Sequence, residues 1–189
     1  MRLCDKDIKL WMKLNKIIIY PFPKKKNIHG ITVDLKLGNE FRILNEYKVN
    51  FIDLGDSRKN INKKFKKLIS KKILIKEKNI FLLQPGSFAL GITLENVKIP
   101  DTLVGWIDGK SSLARLGLMI HVTSHRIDPG WKGKIVLEFF NAGKVALGLR
   151  PGMLIAAISF ETLSNKVSIP YNYRKKKKYY KQEEIYEEK

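Results

Sequence analysis

The sequence is poor in cysteine. Cys4 stands alone among 189 residues, so no disulfide can form within the chain and nothing points to an oxidising compartment. Long apolar runs are missing as well, since the longest, 153–158, is far short of the roughly 20 residues that a membrane span needs. The N-terminal segment has no signal-peptide pattern because Lys6, Lys9, Lys13 and Lys16 interrupt it. These absences predict a soluble cytoplasmic protein with no membrane partner.

Acidic residues are also scarce. Eighteen Asp and Glu residues stand against 37 Lys and Arg, which gives a net charge of +19 and a pI near 9.9. Such a balance ordinarily indicates nucleic acid or another anionic surface. The excess of positive charge, however, is mostly lysine in runs at 24–26, 63–67 and 175–178, which is typical of an AT-rich genome and a solvated surface. Arginine, which binds phosphate better because its guanidinium is bidentate, is comparatively scarce. We therefore expect no nucleic-acid partner, and only a minor part of the charge to serve an anionic substrate.

The local patterns predict a mainly β protein with two short helices. Residues 5–15, with Asp5 as a cap, and residues 60–70 have helical spacing of their apolar positions. Residues 31–37 alternate as a half-buried strand does. Pro-Gly pairs at 85–86, 129–130 and 151–152 precede further strands, and Ala142-Gly143 predicts a hairpin. Short strands at this spacing indicate a β-sandwich, jelly roll or barrel.

One segment, 105–141, has the residues for chemistry. Gly109-Lys110-Ser111-Ser112 resembles the end of a Walker A loop, but Val104 stands where that motif needs glycine. A short helical turn from Ser112 to Leu116, ended by Gly117, fits better and places Ser111 and Arg115 on one side. Its amides and hydroxyls could bind an anion, although a solvated surface turn explains the tetrapeptide equally well.

Glu138 is the candidate catalytic group. In the predicted strand 134–141, residues of both faces around it are apolar, which suggests burial on both faces. Burial of a carboxylate is costly and would raise its pKa towards neutrality, so a buried glutamate here would need a functional reason. The alternative is an outward-facing glutamate on a half-exposed strand.

The segment Gly105–Asn141 closely resembles the core of the dCTP deaminases, members of the trimeric dUTPase-like superfamily. The resemblance runs nearly end to end, through Met1–Ile8, Thr32–Leu35, Phe51–Leu54, Leu149–Met153 and Pro170–Asn172. It implies a distorted jelly-roll β-barrel, here over residues 1–173, and a homotrimer with active sites at the interfaces between chains. Residues 174–189, basic and then acidic without an apolar period, correspond to a mobile tail that closes over the nucleotide.

The resemblance also implies roles for particular residues. Glu138 aligns with the general acid/base, and Ser111 and Arg115 align with groups that hold the attacking water and balance charge. Arg126 lies where another chain is expected to contribute. The positions that contact base, sugar or phosphates are Lys110, Ser112, Leu113, Ala114, Asp128, Val136 and Leu137, and those of the closing tail are Tyr171, Lys178 and Gln182.

The implied reaction is removal of the 4-amino group of dCTP without zinc. The signature of zinc deaminases, H-x-E with P-C-x-x-C, is missing from the sequence, so Mg²⁺ would enter only with the triphosphate. The family leads us to expect dTTP as a feedback inhibitor. Lys110 stands where arginine is usual, which keeps the charge but loses the bidentate fork, and Ser124 replaces a common alanine.

Two other functions stay open at this point. A bifunctional deaminase and dUTPase would carry dCTP to dUMP and diphosphate, with Asp128 where dUTPases place a water-activating aspartate. A basic nucleic-acid-binding β-barrel would interleave aromatic residues with the basic runs, and only Tyr179-Tyr180 fits that pattern.

Overall fold

The computed structural model of the protein describes residues 1–45, 48–175 and 179–186. Within them the helices are α1 (Asp5–Lys13), α2 (Arg58–Leu68) and the single turn α3 (Ser111–Ala114). The strands are β1 (Ile18–Tyr20), β2 (Ile28–His29), β3 (Thr32–Ile43), β4 (Ile73–Leu74), β5 (Phe81–Leu83), β6 (Phe88–Lys98), β7 (Leu103–Gly109), β8 (Leu118–Met119), β9 (Arg126–Ile127), β10 (Lys132–Asn141), β11 (Leu147–Leu149) and β12 (Leu154–Thr162).

Ten of these strands form one antiparallel sheet. Its main path runs β8-β10-β6-β3-β12-β7-β9, with β1 added to β6 and with β2 and β4 added to β3. The register shifts within the β3–β6, β6–β10 and β3–β12 pairs. Such irregularities bend and twist strands, and the sheet curls into a half-barrel. The predicted mainly β fold of the dUTPase-like jelly-roll type is confirmed.

The core lies inside this curl. Phe41 stacks on Phe81 with ring centroids 4.3 Å apart, and Phe139 packs 6.3 Å from Phe41. Gly91 lies opposite Leu137 in the β6–β10 pair, and a Cβ at this position would overlap the phenyl ring of Phe139, two residues further along β10. The Phe139 ring therefore fits because Gly91 has no side chain.

The predicted helix over 5–15 is confirmed as α1, with Ile8 and Met12 buried, but its cap is Cys4 and not Asp5. The Cys4 N–H donates to the Asp7 carboxylate (3.2 Å), while the Asp5 carboxylate pairs with Lys9. The first helical residue cannot cap its own helix, so the side chain one turn further on satisfies the free amide.

The turns divide into confirmed and corrected predictions. Gly86, Gly130 and Gly152 have positive φ angles of 71°, 82° and 82°, as the second position of a Pro-Gly turn requires. The prediction of a hairpin at Ala142-Gly143 is wrong, because β11 pairs with β5 in a separate two-stranded sheet and not with the preceding strand β10. The Asn141 side chain donates to the carbonyls of Leu83 and Val145, both at 2.9 Å, and so ties the departing chain to β5.

Candidate active site

Strand β10 has one buried face and one half-buried face, and residues of both faces line a cavity. Ile135, Leu137 and Phe139 are buried, whereas Val136, Glu138 and Phe140 are half-buried. The expectation that both faces of this strand are buried is therefore wrong for the face with Glu138, as seen in a single chain. Leu90 and Phe88 of β6 lie directly opposite Glu138 and Phe140 and extend the same wall.

The Glu138 carboxylate is oriented by backbone. Its Oε2 accepts a hydrogen bond from the Val122 N–H at 3.0 Å, and its own N–H donates to the Ile120 carbonyl at 2.9 Å. Among the described residues no donor reaches Oε1. One oxygen is thus held while the other can receive or release a proton.

The cavity has a volume of about 680 Å³, which is within the range of small-molecule sites. Its walls are largely apolar and aromatic, with a few polar side chains among them. The predicted site residues that line it are Arg126, Asp128, Val136, Leu137, Glu138, Tyr171 and Gln182. Arg126 and Glu138 therefore lie on the same cavity of one chain.

Two arginines bind the Asp128 carboxylate. Arg126 Nε lies 2.9 Å from Oδ1, and Arg174 NH1 lies 2.5 Å from Oδ2. Asp128 is thus paired at both oxygens. Sequence reasoning missed Arg174, because its charge there is indistinguishable from that of the basic tail.

Tyr171 fixes one end of the cavity. Its ring packs on Trp131 at 5.2 Å between centroids, and its hydroxyl oxygen accepts a hydrogen bond from the Tyr179 N–H at 3.1 Å. Burial raises the pKa of the Tyr171 phenol above its ordinary value, which further favours the protonated hydroxyl.

The tail segment 179–186 packs against β10. Lys181 N–H donates to the Lys132 carbonyl and Lys134 N–H donates to the Gln182 carbonyl, both at 2.7 Å. The Gln182 side chain, which is 5% exposed, donates to the carbonyls of Glu184 and Ile185. Lys178 lies outside the described residues. The mobility of the tail stays a prediction.

A second group of predicted residues does not line the cavity. Ser111, Ser112, Ala114 and Arg115 are exposed on and beside α3, and Leu113 packs partly against the core. The turn begins at Ser111, one residue earlier than predicted. The Arg115 N–H donates to the Ser111 carbonyl at 3.1 Å, so the two residues lie one turn apart as expected.

Lys110 lies just before α3 and is bound by a carboxylate. Its ammonium is 2.6 Å from Asp34 Oδ1 in β3. Sequence reasoning did not identify Asp34, because nothing in the local pattern shows which strands become neighbours.

Two histidines contribute to the cavity wall. The rings of His121 and His125 lie 5.3 Å apart, and Trp106 packs 5.2 Å from His125. The buried His121 Nδ1 has no hydrogen-bond partner in the part of the chain that the structure describes. Neither histidine is followed by the glutamate of a zinc-deaminase signature, so the sequence pattern indicated no role for them. The described residues contain no group of three or more His, Cys, Asp or Glu side chains that could hold a metal ion, and none of their helices is long and apolar enough to cross a membrane.

The curled antiparallel sheet and the mainly β content place the protein in the dUTPase-like fold class. The fold matches the crystal structure of 2'-deoxycytidine 5'-triphosphate deaminase from Agrobacterium tumefaciens with a TM-score of 0.64 at 18% identity. The match covers 86% of this chain and 48% of that one, so this chain spans about half the length of the solved relative. The chain belongs to the dCTP deaminase-like family, whose model matches residues 2–163.

Curated relatives agree with this assignment over nearly the whole chain. The dCTP deaminase of Hamiltonella defensa is 57% identical over 182 residues, which covers 96% of this chain and 94% of the relative. The dCTP deaminase of Buchnera aphidicola from Baizongia pistaciae is 58% identical, with 98% and 96% covered. That of Pectobacterium atrosepticum is 52% identical, with 95% and 93% covered.

Proposed function

We propose that the protein hydrolyses dCTP to dUTP and ammonia in the cytoplasm, and so supplies dUTP for dUMP and thymidylate synthesis. The observation that carries the proposal is Glu138, a carboxylate with one oxygen held by a backbone amide at the wall of a nucleotide-sized cavity. Membership of the dCTP deaminase-like family and relatives of that name at more than 50% identity support the substrate.

Glu138 moves both protons in this reaction. As the water oxygen bonds to C4 of cytosine, the carboxylate takes one proton from the water and delivers it to N3. It then transfers the proton of the new C4 hydroxyl to the amino group. The C4–N bond breaks, the C4 carbonyl forms and ammonia leaves. Ser111 and Arg115 hold the water and balance the charge that develops around it.

The site works without zinc, and Mg²⁺ arrives with the triphosphate as part of the substrate. In the absence of a metal-bound water, the carboxylate supplies the acid–base chemistry. dTTP, which shares the deoxyribose and triphosphate of dCTP, acts as a feedback inhibitor at this cavity.

Three chains complete each other's sites. Arg126 and Glu138 share one cavity, while the exposed Ser111 and Arg115 lie elsewhere on the same chain. We infer that α3 of a neighbouring chain, and not its Arg126, is brought to the Glu138 cavity in a homotrimer.

The monofunctional reaction is preferred over the route to dUMP and diphosphate. Both oxygens of Asp128 already accept a hydrogen bond from an arginine, which disfavours a second role for this carboxylate in positioning an attacking water. The product should therefore be dUTP.

The purified protein tests this function directly. We expect ammonia release from dCTP but little from CTP, dCMP or deoxycytidine, with dUTP as the nucleotide product by chromatography. The same assay after EDTA treatment and restoration of Mg²⁺ should recover full activity. No turnover of dCTP rejects the function, dUMP as product indicates the bifunctional reaction, and stoichiometric zinc whose loss abolishes activity rejects the metal-free site.

A further inference from the structure

A partly buried ion pair joins β3 to the start of α3. The side chain of Asp34 is 5% exposed and that of Lys110 is 26% exposed, with 2.6 Å between Oδ1 and Nζ. His29 Nε2 lies 3.4 Å from the other Asp34 oxygen but belongs to a side chain that is 57% exposed. A carboxylate with so little access to water needs a partner, and Lys110 is the short contact.

The sheet register explains how these two residues meet. Strand β12 lies between β3 and β7, and Ala157 is directly opposite both Asp34 and Asp108. Residues opposite each other point to the same face of a sheet, and Lys110 follows Asp108 by two positions. The ion pair therefore crosses β12 at Ala157, whose side chain is only a methyl group.

This contact bears on the placement of α3. The Lys110 carbonyl accepts hydrogen bonds from the Leu113 and Ala114 N–H groups, both at 2.9 Å, so Lys110 is the residue from which the turn starts. No side chain of α3 itself is fully buried. A four-residue turn has little stability of its own, and the tether at its first residue limits how it can move.

We propose that Asp34 is a positioning residue of the active site. Its carboxylate holds the Lys110 ammonium and, through Lys110, the turn that presents Ser111 and Arg115. An ammonium has three donors, so one can remain on Asp34 while two reach phosphate oxygens of a bound nucleotide. The proposal rests on the proposed function and adds to it a residue that touches neither substrate nor reacting atoms.

A double-mutant cycle of Asp34→Asn and Lys110→Met tests the role. Asp34→Asn should raise KM for dCTP about ten-fold, the size of one lost charge-assisted hydrogen bond, and should lower kcat. In the Lys110→Met background the same change should leave KM and kcat within about two-fold, because no ammonium remains to be held. Losses that add in full would overturn the proposal, and so would a fall in KM, which would mean that Asp34 competes with the substrate for Lys110.

Thermal unfolding of the same four proteins gives a readout that needs no turnover. Asp34→Asn should lower Tm in the parent but raise it in Lys110→Met, where it removes a buried carboxylate that has lost its close partner. A fall of equal size in both backgrounds contradicts the pair. A parent without dCTP turnover rejects the proposed function, whereas an active parent with additive cycles rejects the positioning role alone.

Two further variants guard against misfolding and non-specific effects. Asp5→Asn removes a carboxylate that is also 2.6 Å from a lysine, Lys9, but lies on α1 with 33% of its side chain exposed, and should leave KM unchanged. Ala157→Leu keeps both charges and places a larger side chain between the strands of the pair. Ala157→Leu should raise KM for dCTP in the parent, where the ion pair is present, but not in Lys110→Met, where it is already lost. An unchanged KM in the parent argues against the proposed contact.

Discussion

Glu138 shows how backbone geometry can prepare a single side chain for catalysis. The amide that holds its Oε2 belongs to Val122, in the segment that leaves β8, and the β10 backbone bonds back to the same segment. Two hydrogen bonds between the same pieces of chain restrict both the strand and the carboxylate. Such restriction lowers the cost of placing a proton-transfer group against a bound base.

Glu138→Gln should leave a folded protein that binds dCTP and barely turns it over. The amide oxygen of Gln can still accept the Val122 N–H, but the side chain can no longer carry a proton. We expect kcat to fall by at least about 10²-fold, the lower end for acid–base catalysis, with dCTP affinity changed by only a few-fold. Ammonia release and calorimetric titration measure the two quantities.

Glu161→Gln is the matched control for this residue. The Glu161 carboxylate also accepts an N–H, from Trp106 Nε1 at 3.1 Å, but it lies on β12 and does not line the cavity. Its activity should equal that of the parent. If Glu138→Gln keeps activity within a few-fold, Glu138 is not the proton shuttle.

The tail segment 179–186 pairs with the start of β10 through one parallel β-bridge. A backbone bridge joins Gly133 and Gln182, and a Cβ at Gly133 would lie 2.6 Å from the Gln182 nitrogen. The close approach of the two backbones requires glycine at this position. The tail places Tyr179, Gln182, Ile185 and Tyr186 at the cavity, so its docking and the shape of the site are coupled.

Gly133→Ala should release the tail from β10. Hydrogen–deuterium exchange of residues 179–186 should accelerate, and KM for dCTP should rise because the cavity loses one wall. Gly152→Ala is the control, since Gly152 also has a positive φ, 82°, but no atom lies within 4 Å of its Cβ position. Equal exchange in the tails of both variants would mean that the Gly133 contact does not hold the segment.

The proposed homotrimer is where the two groups of candidate residues would meet. A closed ring gives each chain the same pair of neighbours, so one α3 is available to each Glu138 cavity. One group, Arg126 and Glu138, lines the cavity, and the other, Ser111 and Arg115, lies on an exposed turn. This division predicts which pairs of inactive variants can restore activity when their subunits are mixed in one trimer.

Inactive Arg115→Ala and Glu138→Gln proteins should regain activity when their subunits exchange. Random mixing in equal amounts pairs an intact cavity with an intact turn at about one quarter of sites, so about a quarter of parental activity is expected. Arg126→Ala mixed with Glu138→Gln should regain none, because both residues belong to the same cavity.

If the Arg126→Ala mixture regained activity and the Arg115→Ala mixture did not, Arg126 would act in the cavity of the neighbouring chain. With exchange proven by mass spectrometry, recovery in neither mixture contradicts the shared site, as does a fully active monomer by light scattering.

Local chemistry accounts for what could be predicted without coordinates. Helix α2 begins after Ser57, whose hydroxyl accepts the Asn60 N–H at 3.3 Å, and ends at Leu68, close to the predicted range of 60–70. The Pro-Gly turns, the alternation in β10 and the pairing of Ser111 with Arg115 also depend on neighbours a few residues away. The family followed from long motifs rather than from any single element.

Contacts between distant residues were decided only by tertiary structure. The pairing of β11 with β5, the Asp34–Lys110 ion pair across β12, and the approach of Arg174 to Asp128 join positions up to 76 residues apart. Alternating side chains define the faces of a strand but not its neighbour, because many registers bury the same apolar residues. The open face beside Glu138 has the same origin, since the apolar pattern of β10 could not distinguish a buried face from the wall of a cavity.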